Sequence, residues 1–252
     1  MAYGCLDRNS ELAQQIVLGL MGHIMTHSAS PDLTQRLASI TDRMIAASTG
    51  AGLPAAELVA VSKVQPDERI IAALEAGQRV FGENRVQEAQ MRWADRRAQI
   101  EDLQLHLIGP LQTNKVDAAL KLFDVIETLD RSKLAKALAK GQAKTGCKPR
   151  VLIQVNTGEE AQKAGVWPAD LGALVAEARA LDLDVRGLMC IPPVEEPAGA
   201  HFALLGKLAR AYGLNQLSMG MSEDFETAIR FGATHIRVGS ALFGERVLHA
   251  GD

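Results

Sequence analysis

Leu58-Val59-Ala60-Val61-Ser62-Lys63 is the first of a series of short apolar runs, and the alternation it begins decides the architecture. The run is continuous rather than alternating, the pattern of a strand buried on both faces. Pro66 and Asp67 then open a helical stretch that Gly77 closes, with proline early and glycine late. An open, doubly wound sheet would normally carry GxGxxG after its first strand to seat a dinucleotide. Here the first strand ends in Ser62-Lys63 instead.

Further runs of the same kind lie at 79–82 (RVFG), 105–109 (LHLIG), 123–127 (FDVIE), 150–155 (RVLIQV), 184–190 (DVRGLMC), 216–219 (QLSM) and 234–239 (THIRVG). Helical stripes lie between them: Val86, Ala89 and Trp93; Leu171, Leu174, Val175, Ala178 and Leu181; Phe202, Leu205, Leu208, Ala209 and Tyr212. Their expected role is packing against strands. Ser222 stands where an N-cap belongs, with Glu223 and Asp224 in the first turn of the helix it would open. Strands alternating with helices predict an α/β protein, a single closed (β/α)8 TIM-like barrel. Residues 32–48 read as an additional N-terminal helix before it.

Composition agrees with one such barrel. The chain has 252 residues, 47% hydrophobic and 23% charged, and barrels of about 250 residues are routinely one domain. The expected organisation is an N-terminal extension over 1–30 and one barrel domain over 31–252. A net charge of −3 and a pI near 6.1 argue against nucleic acid or an anionic membrane surface as a general partner. Cys5, Cys147 and Cys190 are scattered, without zinc-ligand spacing, which predicts no metal site and a reducing, cytoplasmic setting. The apolar run 16–25 is too short to span a bilayer, and Asp7 and Glu11 precede it where a signal peptide would be basic. It reads as an extra helix or as a start placed upstream of the true one.

Barrel sites gather at the C-terminal ends of strands. The polar residues expected there are Lys63, Asn84, His106, Ser218, Arg237, Gly239 and Ser240. Lys63 projects from an apolar strand. Burial there would favour the neutral amine, which attacks aldehydes to form a Schiff base; the alternative is a surface lysine at a strand end. The segments Ser218-Met219-Gly220-Met221-Ser222 and Gly239-Ser240 come after strands seven and eight, where barrels often cradle phosphate. Serine and glycine also populate ordinary turns. Arg237 shares a strand face with Gly239, and inside a barrel its guanidinium needs an acceptor. A pyridine nitrogen is one choice, a structural carboxylate the other.

Six segments in order carry a resemblance. They are Val59-Ala60-Val61-Ser62-Lys63, Phe81-Gly82-Glu83-Asn84, the run from His106 to Lys115, Gly187-Leu188-Met189, Leu217-Ser218-Met219-Gly220-Met221-Ser222, and the run from Arg237 to Gly244. Together they resemble the pyridoxal phosphate homeostasis proteins, relatives of the N-terminal barrel of alanine racemase. The resemblance implies a fold-type III barrel that binds pyridoxal 5'-phosphate. Lys63 would be its Schiff-base lysine, and Arg237 would face the pyridine nitrogen. Ser218, Gly239 and Ser240 would hold the phosphate, with Met219 and Ser222 close by, and Asn84 would lie beside the ring. His106 is expected to support the rim.

The role implied is buffering and delivery of the cofactor within the cell, by a monomer, with apo-enzymes as recipients and without dedicated catalysis. An amino-acid racemase is the alternative. Two-base racemisation needs a second proton acceptor opposite Lys63, and the related racemases take a tyrosine from a second domain. No such domain is expected after strand eight. Tyr3 lies in the unplaced N-terminus and Tyr212 on a packing stripe.

Overall fold

The computed structural model describes residues 31–244. Helix α1 (Pro31–Ala51) comes first. Strands and helices then alternate: β1 (Glu57–Val61), α2 (Asp67–Glu75), β2 (Val80–Glu83), α3 (Val86–Gln99), β3 (Gln104–Leu107), a 3-10 turn (Thr113–Lys115) leading into α4 (Val116–Leu122), and β4 (Val125–Leu129). The second half holds α5 (Ser132–Thr145), β5 (Arg150–Gln154), α6 (Leu171–Ala180), β6 (Val185–Met189), α7 (Ala198–Ala211), β7 (Gln216–Ser218), α8 (Phe225–Arg230), β8 (His235–Val238) and the short α9 (Ser240–Phe243). All eight strands pair in parallel, in sequence order, and β8 closes on β1. The expected barrel and its preceding helix are both present, with α1 running from 31 to 51 rather than 32 to 48 and packed across α8 and α9. The run at 16–25 lies outside the described residues.

Strand bounds differ from the sequence reading by a residue or two, the largest shift being β4, which runs 125–129 rather than 123–127. The β4–β5 register slips between Ile126 and Leu129, so Glu127 and Thr128 sit at an irregularity of the kind that re-aims a side chain.

The apolar core has two parts. Most of it lies between the sheet and the helices, where the predicted stripes are buried: Val86, Ala89 and Trp93 on α3, and Phe202, Leu205 and Ala209 on α7. Inside the barrel the apolar cluster is small, formed by Val125, Leu152 and Met189. Hydrogen-bonded polar side chains occupy the interior beside them.

Candidate functional site

The rim at β1 is built around a tight turn. Gln65 N donates to Ser62 O at 3.2 Å, leaving Lys63 and Val64 as its two central residues. Val64 has φ +58°, a left-handed conformation that a type II turn demands at this position and that a β-branched residue resists. Lys63 opens into a cleft of about 810 Å³ together with Asn84, Glu88, Met91 and Arg92. Asn84 comes directly after β2. A Cβ at Gly109 would stand 2.3 Å from Asn84 O, so only glycine lets the end of β3 pack against it.

Closure of the barrel sets β8 beside β1, with Val59 opposite Arg237 and Ala60 opposite Val238. One residue further, a Cβ at Gly239 would touch Val61 Cβ at 3.4 Å, close beneath the lysine turn. Ser240 Oγ donates to Ser222 Oγ at 3.2 Å, and the Ala241 N–H reaches the same Ser222 oxygen at 3.4 Å. The loops after β7 and β8 are thereby tied together, hydroxyl to hydroxyl. This corrects the expectation that Ser222 caps a helix. α8 begins three residues later, at Phe225, and it is Asp224 Oδ1 that takes a backbone N–H, from Met221, at 2.6 Å. Met219 is fully buried in the core between sheet and helices, so its side chain lies away from this rim.

Beneath the rim lies a buried network. Arg237, 4% exposed, donates from Nη1 to Ser218 Oγ at 2.6 Å and from Nη2 to Cys190 O at 2.8 Å. Ser218 Oγ in turn donates to Glu127 Oε2 at 2.6 Å, and Glu127 Oε2 is 3.9 Å from Arg237 Nη1. Glu127 Oε1 meets His106 Nδ1 at 2.7 Å. A carboxylate only accepts, so Nδ1 carries the shared proton. Burial pushes the Glu127 carboxyl up, but the His106 bond and charge, Arg237 and the Ser218 hydroxyl outweigh it and hold the group at about 2. Glu127 is therefore the buried carboxylate partner that the sequence left open for Arg237. A guanidinium has five N–H donors, so its two hydrogen bonds do not exhaust it. Ser218 was expected at a phosphate; its hydroxyl hydrogen bonds run instead to Arg237 and Glu127, not to the Ser222–Ser240 pair. Burial raises the Cys190 thiol to about 12, which makes it a packing group and not a nucleophile.

A second buried carboxylate, Glu83, was not singled out from sequence. Its Oε1 accepts from Ser62 Oγ at 2.7 Å, Arg92 Nη1 at 2.9 Å and Trp93 Nε1 at 2.9 Å. The available signal was a carboxylate at the end of an apolar strand, with arginine nine residues later on the same helix as the buried Trp93.

The donor set fits a phosphorylated aldehyde with a heteroaromatic ring. A lysine and an amide share one cleft, a glycine and two linked hydroxyls lie on the segments that follow β7 and β8, and a buried guanidinium sits below. Comparison with known proteins gives the class. The family described as alanine racemase, N-terminal domain, matches residues 35–247. Within that class the relatives are specific. A pyridoxal phosphate homeostasis protein of Vibrio cholerae is 43% identical over 202 residues, covering 75% of this chain and 85% of its own. One from Pseudomonas aeruginosa is 42% identical over 225 residues, covering 85% and 96%. The chain belongs to the pyridoxal phosphate homeostasis protein family. PipY of Synechococcus elongatus is similar in structure, at 38% identity over 84% of this chain and all of its own. The TM-score is 0.75 for its form without pyridoxal phosphate and 0.72 for its form with it bound. Alanine racemase of Clostridium difficile shares the fold, with TM-score 0.60 at 14% identity over 82% of this chain and 57% of its own.

Proposed function

We propose that this protein holds pyridoxal 5'-phosphate as a Schiff base on Lys63 and serves intracellular homeostasis of that cofactor, by buffering and delivery. One observation supports the reading above the rest. Lys63 follows β1, and the Ser222–Ser240 hydroxyl pair joins the segments after β7 and β8, where β8 closes on β1 at the rim where barrel sites form. Gly239, Ser240 and Ser222 receive the phosphate, and Asn84 borders the ring. Arg237 faces the pyridine nitrogen and keeps it unprotonated, because a guanidinium does not give up its proton. Ser218 acts from below by fixing Arg237, and Met219 by packing behind the loop after β7. The bound cofactor supplies an electrophilic aldehyde and an electron-accepting ring; an unprotonated ring nitrogen makes that ring a weaker electron sink.

A carrier is favoured over a racemase on the placement of Tyr212. It follows the last residue of α7, and its hydroxyl lies against Gly172 of α6, in the helical layer outside the sheet and not over Lys63. Tyr3 lies outside the described residues. We take 31–252 as the barrel domain and 1–30 as an extension to it, and the protein as a cytoplasmic monomer whose recipients are apo-enzymes that dock at the open rim. Among the described residues no helix is long and apolar enough to cross a membrane.

The test is the absorbance spectrum with pyridoxal phosphate for the native protein and Lys63→Ala, with borohydride reduction and peptide mass afterwards. A Schiff-base band lost in the variant, with the reduced adduct on Lys63, is the expected result. A band unchanged in Lys63→Ala, or none in the native protein, overturns it. Delivery is read separately: loaded protein should activate an apo-enzyme faster than an equal amount of free cofactor.

A further inference from the structure

The geometry points to Arg92 as the positioning residue for Lys63, acting through the backbone of the turn that carries it. The inference rests on the reading of Lys63 as the attachment point.

Arg92 lies on α3, separated from the turn in sequence by α2 and β2, and is 17% exposed at its side chain. Its Nη1 donates to Ser62 O at 2.8 Å and its Nη2 to Gln65 O at 2.9 Å. These are the carbonyls of the first and last residues of the Ser62–Gln65 turn. One planar guanidinium therefore bridges both ends of a turn whose two central residues are Lys63 and Val64. Nη1 is itself held by Glu83 Oε1 at 2.9 Å, and that oxygen also takes the Ser62 hydroxyl. Asp67 lies 3.8 Å from Nε on the remaining side. The clamp is thus anchored in the core, on a carboxylate with no exposure.

The turn needs such a clamp. Val64 occupies the left-handed region with a β-branched side chain, and no glycine relieves it. Backbone in this state persists where surrounding structure over-determines it. Arg92 supplies that determination: released, the turn relaxes toward φ below zero at Val64, and the direction of Lys63 changes with it. Lysine at position 92 keeps the charge beside Glu83, but a compact ammonium does not reproduce the fork that spans both carbonyls.

The experiment compares native protein, Arg92→Lys, Arg92→Gln, Val64→Gly and the double variant Val64→Gly/Arg92→Lys. Two readouts use cofactor-free protein: exchange of the Gln65 amide, which is bonded across the turn to Ser62 O, and reductive methylation of Lys63 by formaldehyde with cyanoborohydride, read by peptide mass. A third is the rate of Schiff-base formation with pyridoxal phosphate. In Arg92→Lys, Gln65 exchange should rise and both Lys63 reactions should slow by about tenfold, the scale set by one strained residue, at an unchanged denaturant midpoint. Val64→Gly makes the left-handed turn easy without Arg92. Val64 is 51% exposed, so the change opens no cavity. The double variant should return to within about threefold of native on all three readouts. Arg92→Gln should match Arg92→Lys on the three readouts, because they follow the span and not the charge, while its denaturant midpoint falls with the loss of the Glu83 charge pair.

Native-like exchange and methylation in Arg92→Lys overturn the inference. So does a loss that Val64→Gly fails to repair, which would assign Arg92 an effect through charge. Absence of a Schiff-base band in native protein, with the two cofactor-free readouts shifting as stated, sinks the cofactor reading and leaves the clamp standing.

Discussion

Glu83 and Glu127 are both carboxylates with no solvent exposure, one at the end of β2 and the other in the middle of β4, yet they solve burial differently. Glu127 points into the barrel and uses both oxygens, with His106 on one and Ser218 and the Arg237 charge on the other. Glu83 points outward, toward α3, and gathers three donors on Oε1, while its Oε2 has no partner among the described residues. The first carboxylate is a hub that joins three side chains, His106, Ser218 and Arg237. The second is a post to which a neighbouring loop is tied. Glu127 holds side chains alone, whereas Glu83 holds Ser62 and Trp93 and, through Arg92, also the backbone of the Ser62–Gln65 turn.

This contrast is open to direct attack. Glu127→Ala should be the most damaging change, because it strands the Arg237 charge and His106 inside the barrel; about 3–5 kcal/mol of unfolding free energy should disappear in denaturant titration. A loss below about 1 kcal/mol would mean the interior network is no hub. Acid should reproduce much of the same effect in native protein. The folded Glu127 carboxyl sits at about 2 against an ordinary 4.5, so the unfolded chain takes up its proton first. Its contribution is fully present above about pH 4.5 and is lost as pH falls toward 2, which amounts to about 3 kcal/mol. Glu57, Asp124 and Glu226 are also depressed and add in the same direction. Denaturant midpoints that stay level from pH 5 to pH 3 would contradict this. Glu83→Gln should cost less, about 1–3 kcal/mol, since the amide oxygen still accepts from Ser62 and Trp93 and only the Arg92 charge pair is lost. If it costs as much as Glu127→Ala, the proposed difference between hub and post fails.

The barrel was legible because its strands are short, continuous and buried on both faces, so each appears as an apolar run set off by turn residues. Their ends were less legible. β4 starts two residues later than its apolar pattern, since pairing with β3 begins only at Val125. Of the polar residues expected at strand ends, Lys63 and Asn84 share a cleft and Ser240 meets Ser222, whereas His106 and Ser218 lie in the interior network with Glu127. Ser222 as a helix cap failed because its hydroxyl is engaged across the rim with α9, a contact between segments distant in sequence. Glu127 stands at the end of its expected run, and for Arg237 a carboxylate partner was only the alternative to a pyridine nitrogen, with no residue named for it. Pairing across a closed barrel depends on which strands face one another, and spacing does not carry that. Arg92 was hidden for another reason: on a helix beside a buried tryptophan it reads as an ordinary solvated charge until the loop above it is placed.

Closure of β8 onto β1 also has a temporal meaning. Strands β1 to β7 can pair one after another as the chain emerges, but Arg237, Gly239 and Ser240 arrive with the last strand, and Ser222 gains its partner only then. On the proposed reading, Lys63 is made early and waits nearly the whole length of the barrel for the other half of its site. Pairing between segments so far apart forms late, because the loop-closure entropy must be met first. A chain that stops short of β8 would carry the lysine but not the cradle. On that proposed site, capture of the cofactor certifies that the last strand has docked, and the ligand would bind, and so stabilise, only chains that have completed their circle.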